Sequence, residues 1–258
     1  MLVTTAYNPS VLLQAQAQEL AKHLDAKYVN RQQFSLPRLR FRYQDADVLL
    51  LTDKEMRYFP QAAIAPIFFH PSTAAIRIKR LLNGELDPLL ELADIKPGDS
   101  ILDCTAGLAS DAIVFSYAVG CSGKVIALES EPVLVSILQA GLASYHSEIE
   151  PINEAMRRVD VKQAEHYTYM KAMEDCSVDI VYFDPMFRSP IEQSNAISPL
   201  REIANGRAIQ LDTIEEARRV ARNKIILKEH KDSDEFTRLG FEVPYRPQTK
   251  IAYGVIVL

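Results

Sequence analysis

The 258-residue sequence contains no tryptophan, only three cysteines and no apolar run of the roughly 18–20 residues that cross a bilayer. Cys104, Cys121 and Cys176 are far apart and form no CxxC pair, which argues against a disulfide framework and a cysteine-based metal site. The N-terminus also lacks the basic start and apolar stretch of a signal peptide. We therefore expect a cytoplasmic protein that has no membrane partner and, without a His/Cys/Asp cluster at ligand spacing, no metal.

Charge is unevenly distributed along the chain. The net charge is −5, yet residues 1–80 hold 11 Lys and Arg against 6 Asp and Glu, while the remaining residues hold 18 against 28. This asymmetry predicts that any polyanionic partner contacts the N-terminal part, although an ordinary solvated surface would give the same count.

The N-terminal third reads as a small α/β layer. A helix is predicted over residues 9–24 and another over 72–82. Short strands are predicted at residues 2–5, 26–29, 48–52 and 55–58. We place the domain boundary near residues 83–98, which gives a small N-terminal α/β domain at 1–83 and a main domain at 84–258.

From Ser100 the pattern changes to regular alternation of strands and helices. Such alternation predicts a parallel sheet covered by helices, as in Rossmann-like α/β folds. The predicted strands cover residues 100–104, 124–129, 159–163, 178–184 and 224–229, and the predicted helices 111–118, 132–144, 165–173 and 213–222. Residues 242–245 and 251–258 read as two further strands, the last of them antiparallel at or near an edge.

The turn after the first strand of this domain has the sequence DCTAGLASD, from Asp103 to Asp111. Ligands bind beside this turn in doubly wound folds, and Gly107 would let the backbone approach one closely. A dinucleotide pyrophosphate would require a GxGxxG cradle, whereas this turn has one glycine and two acids. Because Asp103 and Asp111 suit an ammonium group, the turn favours the amino-acid end of S-adenosylmethionine over NAD.

Two further acids follow the next strands. Glu129 ends the second strand, where a carboxylate can accept both ribose hydroxyls, although a strand-end acid can also simply face solvent. Glu165 follows the third strand and could reach the adenine edge, but a plain acid at a helix N-terminus explains it equally well.

The fourth strand ends in Asp184, Pro185, Met186 and Phe187. This DPMF sequence resembles the [DNS]-P-P-[YFW] motif of methyltransferases that act on amino groups of bases or amides. The carboxylate and the following carbonyl can accept hydrogen bonds from an NH2 group and orient its lone pair, while Phe187 can stack on an extruded base. Pro185 fixes the turn that holds these acceptors.

The stretch from Asp103 to Leu142, taken with DPMF, resembles the RsmJ-type small-subunit ribosomal RNA guanine-N2 methyltransferases. The chain is more similar still to a branch of bacterial methyltransferases that carry an FFHPS…RIKRLL segment. The resemblance implies a seven-strand class I methyltransferase sheet preceded by a small domain. It also implies cofactor contacts at Ser110 and Asp111, Glu129 and Ser130, Glu165 and His166, and Asp184.

The sequence departs from the family pattern in places that concern the substrate. The family's GLGRD is GLASD here, its ERN is ESE, and the basic stretch after DPMFP is replaced by RSPIEQS at 188–194. These changes leave the cofactor assignment in place and weaken the assignment of ribosomal guanine as the target.

A basic segment precedes the cofactor turn, as it does in the similar RNA enzymes. His70 leads into a helix whose Arg77 and Arg80, three residues apart, share one face and could contact phosphates, although a solvated basic face is the plain alternative. Lys228 ends the fifth strand near the expected cleft and could also contact substrate. Alternating Arg38, Arg40 and Arg42 could extend the basic surface along an extended segment.

The sequence therefore predicts an enzyme that transfers methyl from S-adenosylmethionine to an exocyclic amine of a base, with guanine N2 in small-subunit ribosomal RNA, or in an assembling subunit, as the target. A methyltransferase for a small molecule or protein amide is one alternative. A non-catalytic RNA-binding protein that retains the fold is another. A nicotinamide dehydrogenase fits less well, because the turn lacks a phosphate cradle.

Overall fold

The computed structural model describes residues 1–45, 47–61, 65–185, 208–244 and 249–258. Its elements follow the chain as β1 (Leu2–Thr5), α1 (Val11–His23), β2 (Lys27–Tyr28), α2 (Leu36–Tyr43), β3 (Val48–Leu51), β4 (Met56–Phe59), β5 (Ile67–Phe68), α3 (Ser72–Leu82), α4 (Pro88–Ala93), β6 (Ser100–Asp103), α5 (Ser110–Val119), β7 (Lys124–Glu129), α6 (Pro132–Ser144), α7 (Glu150–Arg158), β8 (Val159–Gln163), α8 (His166–Lys171), β9 (Val178–Phe183), α9 (Leu211–Val220), β10 (Ala221–His230), α10 (Glu235–Leu239) and β11 (Ile251–Val257).

The described residues form two compact units. One comprises residues 1–70 and 132–145, and the other comprises the rest of the described chain. The division falls at Pro71 and again on either side of α6, so none of these three cuts coincides with residues 83 and 84. The two-domain boundary drawn from the sequence stays a prediction.

The first unit contains a five-stranded sheet in the order β2-β1-β3-β4-β5. The pairs of β1 with β2 and with β3 are parallel, while β4 pairs antiparallel with β3 and β5. Its small core is built around buried Leu2, Val29, Leu39 and Val48. The small α/β layer predicted from the N-terminal sequence is therefore present.

The structure corrects the prediction that Arg38, Arg40 and Arg42 lie on an extended segment. These residues belong to α2, which begins after Ser35, whose Oγ accepts a hydrogen bond from the Arg38 amide at 3.4 Å. Ser35 is a favourable N-cap residue, and Pro37 suits the first turn of a helix, so local capping outweighs the alternating pattern.

The second unit contains a six-stranded sheet in the order β11-β10-β9-β6-β7-β8. The pairs among β6, β7, β8, β9 and β10 are parallel, and β11 is antiparallel to β10 at the edge, as the sequence predicted. The strand expected near residues 242–245 is present in the described chain as one antiparallel bridge between Glu242 and Val255. Among the described helices, none is long and apolar enough to cross a membrane.

The sheet is stabilised by burial on its faces. Val181, Phe183, Ile225 and Leu227 are fully buried in a hydrophobic cluster around β9 and β10, as expected for strands of a covered parallel sheet. Helix α5 packs on β6 and β7, and α9 packs on β9 and β10. This rigid sheet fixes the positions of the loops at its carboxyl edge.

Candidate active site

Three acidic residues lie at the carboxyl ends of neighbouring strands. Asp103 is the last residue of β6, Glu129 is the last residue of β7, and Asp184 directly follows β9. Strand β6 lies between the other two, and chain order reverses between β6 and β9. Ligands of open α/β sheets bind in the crevice at such a switch point, so this edge is the candidate active site.

The turn after β6 is tied to Glu129 through its backbone. The Gly107 amide donates to Glu129 Oε2 at 3.1 Å, and the Glu131 amide donates to Oε1 at 3.0 Å. Gly107 has φ +53°, and no atom lies within 4 Å of the position that a Cβ would occupy. Burial raises the pKa of Glu129, while these amides oppose the shift. The turn thus presents open backbone beside a fixed carboxylate.

Asp103 is a buried carboxylate with few hydrogen-bond donors around it. Its side chain is 1% exposed, and its only hydrogen bond among the described residues comes from the Thr105 amide at 3.0 Å. Burial raises the pKa of Asp103 well above its ordinary value. An ammonium group would supply the missing positive partner, since buried charges require pairing.

These residues fit S-adenosylmethionine. The uncompensated Asp103 suits its ammonium group, the open space at Gly107 admits its chain, and Glu129 retains lone pairs for ribose hydroxyls. We assign the three residues as its candidate contacts. Ser110, the first residue of α5, and Ser130, which follows Glu129, stay predicted contacts.

Asp111 lies in a different environment from the one the sequence suggested. Its Oδ1 accepts from the Arg77 guanidinium, and its Oδ2 accepts from Tyr182 Oη at 2.7 Å and Lys228 Nζ at 2.9 Å. Burial acts to raise the pKa of Asp111, but the two cations outweigh it and hold the pKa below its ordinary value. Because protein cations already neutralise Asp111, Asp103 is the better candidate for the ammonium.

Arg77, predicted from the sequence as a phosphate contact, lies beside internal carboxylates, and its phosphate role stays a prediction. Its Nε and Nη2 donate to the two carboxylate oxygens of Asp87 at 2.7 and 2.8 Å, and it also pairs with Asp111. The side chain is 15% exposed, so it is committed to internal carboxylates. Arg80 remains exposed, with Glu85 Oε2 at 3.8 Å from its Nε.

Lys228 connects the cofactor turn with Asp184. Its Nζ donates to Asp184 Oδ2 at 2.7 Å as well as to Asp111, and the Asp184 amide donates to Thr105 Oγ1 at 2.6 Å. Burial raises the pKa of Asp184 to about 6, against the effect of Lys228. Burial would lower the pKa of Lys228, but the two carboxylates outweigh it and raise that pKa. Lys228 is therefore placed to position Asp184.

Three contributors to this cluster were missed from the sequence. Asp87 caps α4 by accepting from the Leu89 amide, and the Asp-Pro pair at 87–88 was a readable helix start. Tyr182 lies inside β9, and burial raises its pKa well above the usual value. Burial likewise raises the pKa of Tyr253, on β11, to about 12. Neither tyrosine carries a local sequence signal, since each reads as an ordinary strand residue.

The structure after β8 favours the interpretation of Glu165 as an acid at a helix N-terminus. Glu165 accepts hydrogen bonds from the Tyr167 and Thr168 amides at 3.0 and 2.9 Å, which makes it the N-cap of α8. His166 contacts the Phe183 ring at a centroid distance of 5.8 Å, and burial lowers its pKa. Cofactor contacts at Glu165 and His166 stay predictions.

Four further residues were predicted from the sequence, and their roles stay predictions. His70 belongs to the first unit, where its Nε2 lies 3.2 Å from Tyr145 Oη. Pro185 follows Asp184, as the DPMF motif requires, whereas Met186 and Phe187 lie outside the described residues. No group of three or more His, Cys, Asp or Glu in the described chain could hold a metal ion.

Comparison with known proteins defines the class. Residues 38–238 match the family described as "Putative SAM-dependent methyltransferase", so the chain belongs to this family and S-adenosylmethionine is its cofactor. The fold agrees. The solved SAM-dependent methyltransferase NGO1261 from Neisseria gonorrhoeae superposes with a TM-score of 0.67 over 100% of this chain and 96% of its own, at 14% identity.

Three relatives with similar sequences are an uncharacterized protein and two enzymes that share one name. The uncharacterized protein YpiP of Bacillus subtilis is 39% identical over 99% of this chain and 98% of its own. Ribosomal RNA small subunit methyltransferase J of Pasteurella multocida is 26% identical over 67% of this chain and 70% of its own. The enzyme of the same name from Haemophilus ducreyi is 30% identical over 58% and 59%.

Proposed function

We propose that this methyltransferase acts on an exocyclic amino group of a nucleic-acid base, namely guanine N2 in small-subunit ribosomal RNA. The observation that carries the proposal is the placement of Asp184. Its Oδ2 is held by Lys228 and its backbone by Thr105, while Oδ1 makes no hydrogen bond within the described part of the chain. A fixed carboxylate with one open oxygen is suited to accept an N–H from an amine.

The chemistry requires alignment above all. When bound, the cofactor supplies a sulfonium methyl group that is already electrophilic, so the protein must chiefly direct the nitrogen lone pair at that carbon. Asp184 Oδ1 accepts one amine N–H and turns the lone pair away from itself. The proton that the nitrogen loses as its bond to the methyl carbon forms can pass to Asp184, whose pKa is raised to about 6, or to water.

The choice of ribosomal RNA rests on the relatives. The two reported relatives named ribosomal RNA small subunit methyltransferase J are 26% and 30% identical to this chain over 67% and 58% of its length. Ala109 and Ser110, two departures from that family in the cofactor turn, are not among the residues that hold Asp184, which are Lys228 and Thr105. A small molecule or a protein amide would use the same acceptor geometry, so the test must compare substrates.

The test is transfer of labelled methyl from S-adenosylmethionine to RNA from a strain that lacks the gene. Assembled small ribosomal subunits and naked RNA are compared, and the product nucleosides are identified by mass analysis. We expect label as N2-methylguanosine. Label on another base amine would keep the reaction and overturn the guanine assignment. An absence of label in every RNA, with cofactor binding intact, would overturn the proposal in favour of a small-molecule or protein substrate or of a non-catalytic RNA-binding protein.

A further inference from the structure

We propose that the first unit carries a binding site for single-stranded RNA, formed by Lys27, Arg31, Phe34, Arg38, Phe41 and Arg42, here called the basic–aromatic strip. The inference rests on the proposed function, since it assumes that the substrate is RNA. It uses none of the residues assigned above to the cofactor or to the positioning of the amine.

Helix α2 presents one continuous exposed stripe. Pro37, Arg38, Phe41 and Arg42 are all exposed, whereas Leu39 is fully buried in the small core. These four exposed positions recur at the helical spacing, so their side chains share one face. The Phe41 ring is 87% exposed beside Arg42 and one turn from Arg38. An aromatic ring this exposed is available for stacking by a base.

The cations of the strip are stacked on aromatic rings. The Arg38 and Arg42 guanidiniums lie 4.8 and 5.2 Å from the centroid of Phe34. The Arg31 guanidinium lies 4.0 Å from that of Tyr7, and Lys27 Nζ lies 4.7 Å from that of Tyr43. Cation–π contacts hold these charges in place while their N–H groups remain able to donate to phosphate.

The positive charge of the strip is uncompensated. Residues 27–43 contain five Lys and Arg and no Asp or Glu. Within the described chain, Lys27, Arg31, Arg38 and Arg42 form no ion pair with a carboxylate, whereas Arg57 in the same unit pairs with Glu55. A polyanion would release counterions on binding here, which is the main source of affinity for nucleic acids.

The chemistry favours a single strand of RNA over other anionic partners. Aromatic rings interleaved with arginines bind unpaired bases by stacking and phosphates by charge. A membrane surface would need a broad apolar face, whereas the exposed stripe of α2 has Phe41 as its one large apolar side chain among four positions.

The test measures binding of a fluorescent mixed-sequence single-stranded RNA to the full-length protein over a range of KCl concentrations. Arg38→Gln/Arg42→Gln should weaken binding at low salt by roughly 10-fold or more and make the salt slope shallower by about 1.4, since two phosphate contacts are lost. Phe41→Ala should weaken binding by about 10-fold with an unchanged salt slope, because stacking carries no charge. Arg57→Gln is the matched control and should bind like the wild type.

The outcomes separate this inference from the proposed function when methyl transfer to RNA is measured on the same preparations. The proposed RNA-binding site would be overturned if the strip variants bound RNA like the wild type. It would also be overturned if the wild type bound no RNA, even with RNA methylated. If the variants lost RNA binding and the wild type methylated no RNA, the binding site would be supported and the proposed substrate overturned. Equal binding to phosphatidylserine vesicles, lost in the same variants, would reassign the strip to a membrane surface.

Discussion

Lys228 Nζ donates to Asp184 Oδ2 at 2.7 Å while it also contacts Asp111 Oδ2 at 2.9 Å. One partly buried ammonium therefore joins Asp184, the proposed amine acceptor directly after β9, to the first turn of α5 beside the cofactor turn. A partly buried cation between two carboxylates has little freedom to move, because each contact is worth more at a lower local dielectric than in water. The arrangement holds Asp184 in place before substrate binds.

This relationship predicts the pH dependence of methyl transfer. Asp184 accepts an amine N–H in its ionised form, so the single-turnover rate should fall as pH decreases through about 6. Lys228 favours the ionised form of Asp184. Lys228→Met should therefore move the acid limb of the rate profile to higher pH and lower the rate at neutral pH by roughly 10-fold or more. Rates are measured with the cofactor saturating.

The matched control for this variant lies on the same strand. Lys224 is also in β10, but its Nζ donates to the Leu92 carbonyl at 3.0 Å, away from the carboxylates. Lys224→Met should leave the pH profile unchanged. An unshifted acid limb in Lys228→Met, with the protein folded, would mean that Lys228 does not position Asp184.

Glu129 is predicted to contribute most of the ribose recognition. Glu129→Ala removes a carboxylate fixed by two backbone amides, so the affinity for S-adenosylmethionine should fall by roughly 10- to 100-fold. Isothermal titration calorimetry measures this affinity directly. Glu131→Ala removes the same charge two residues away and should change the affinity by less than about 2-fold. Equal losses in both variants would show a general charge effect and remove Glu129 from the ribose site.

Arg77 is predicted to stabilise the fold by pairing with internal carboxylates. Arg77→Met would leave Asp87 without its bidentate partner, and the free energy of unfolding should fall by about 3–5 kcal/mol. Arg80→Met, one turn further along α3 and exposed, should change it by about 0.5 kcal/mol or less. Urea unfolding of the two variants checks this. If Arg77→Met left the free energy of unfolding unchanged and weakened RNA binding, Arg77 would instead be a phosphate contact.

The strand-end acids were predictable because their signals are local. Each of Asp103, Glu129 and Asp184 closes a short run of buried apolar residues, and the alternation of strands with helices places such ends at one sheet edge. The parallel sheet and the antiparallel edge strand followed from the same pattern.

The ion-pair cluster was not predictable, because it depends on contacts between distant parts of the chain. Arg77 meets Asp111 34 residues later, and Lys228 meets Asp111 across 117 residues. No spacing in the sequence distinguishes Arg77, which is buried, from Arg80, which is exposed on the same helix. Helix α2 was missed for a different reason, since the alternating arginines imitate a strand, and the Ser35 cap that outweighs this alternation in the fold was not recognised in the sequence.

The most direct test of the proposed mechanism is the single-turnover rate of methyl transfer to RNA by Asp184→Ala, measured together with its affinity for S-adenosylmethionine. The proposed mechanism predicts a rate lower by about 100-fold or more, because the amine loses its acceptor, while the affinity changes by no more than about 10-fold and the protein remains folded. A near-normal rate would contradict it and remove Asp184 from the reaction.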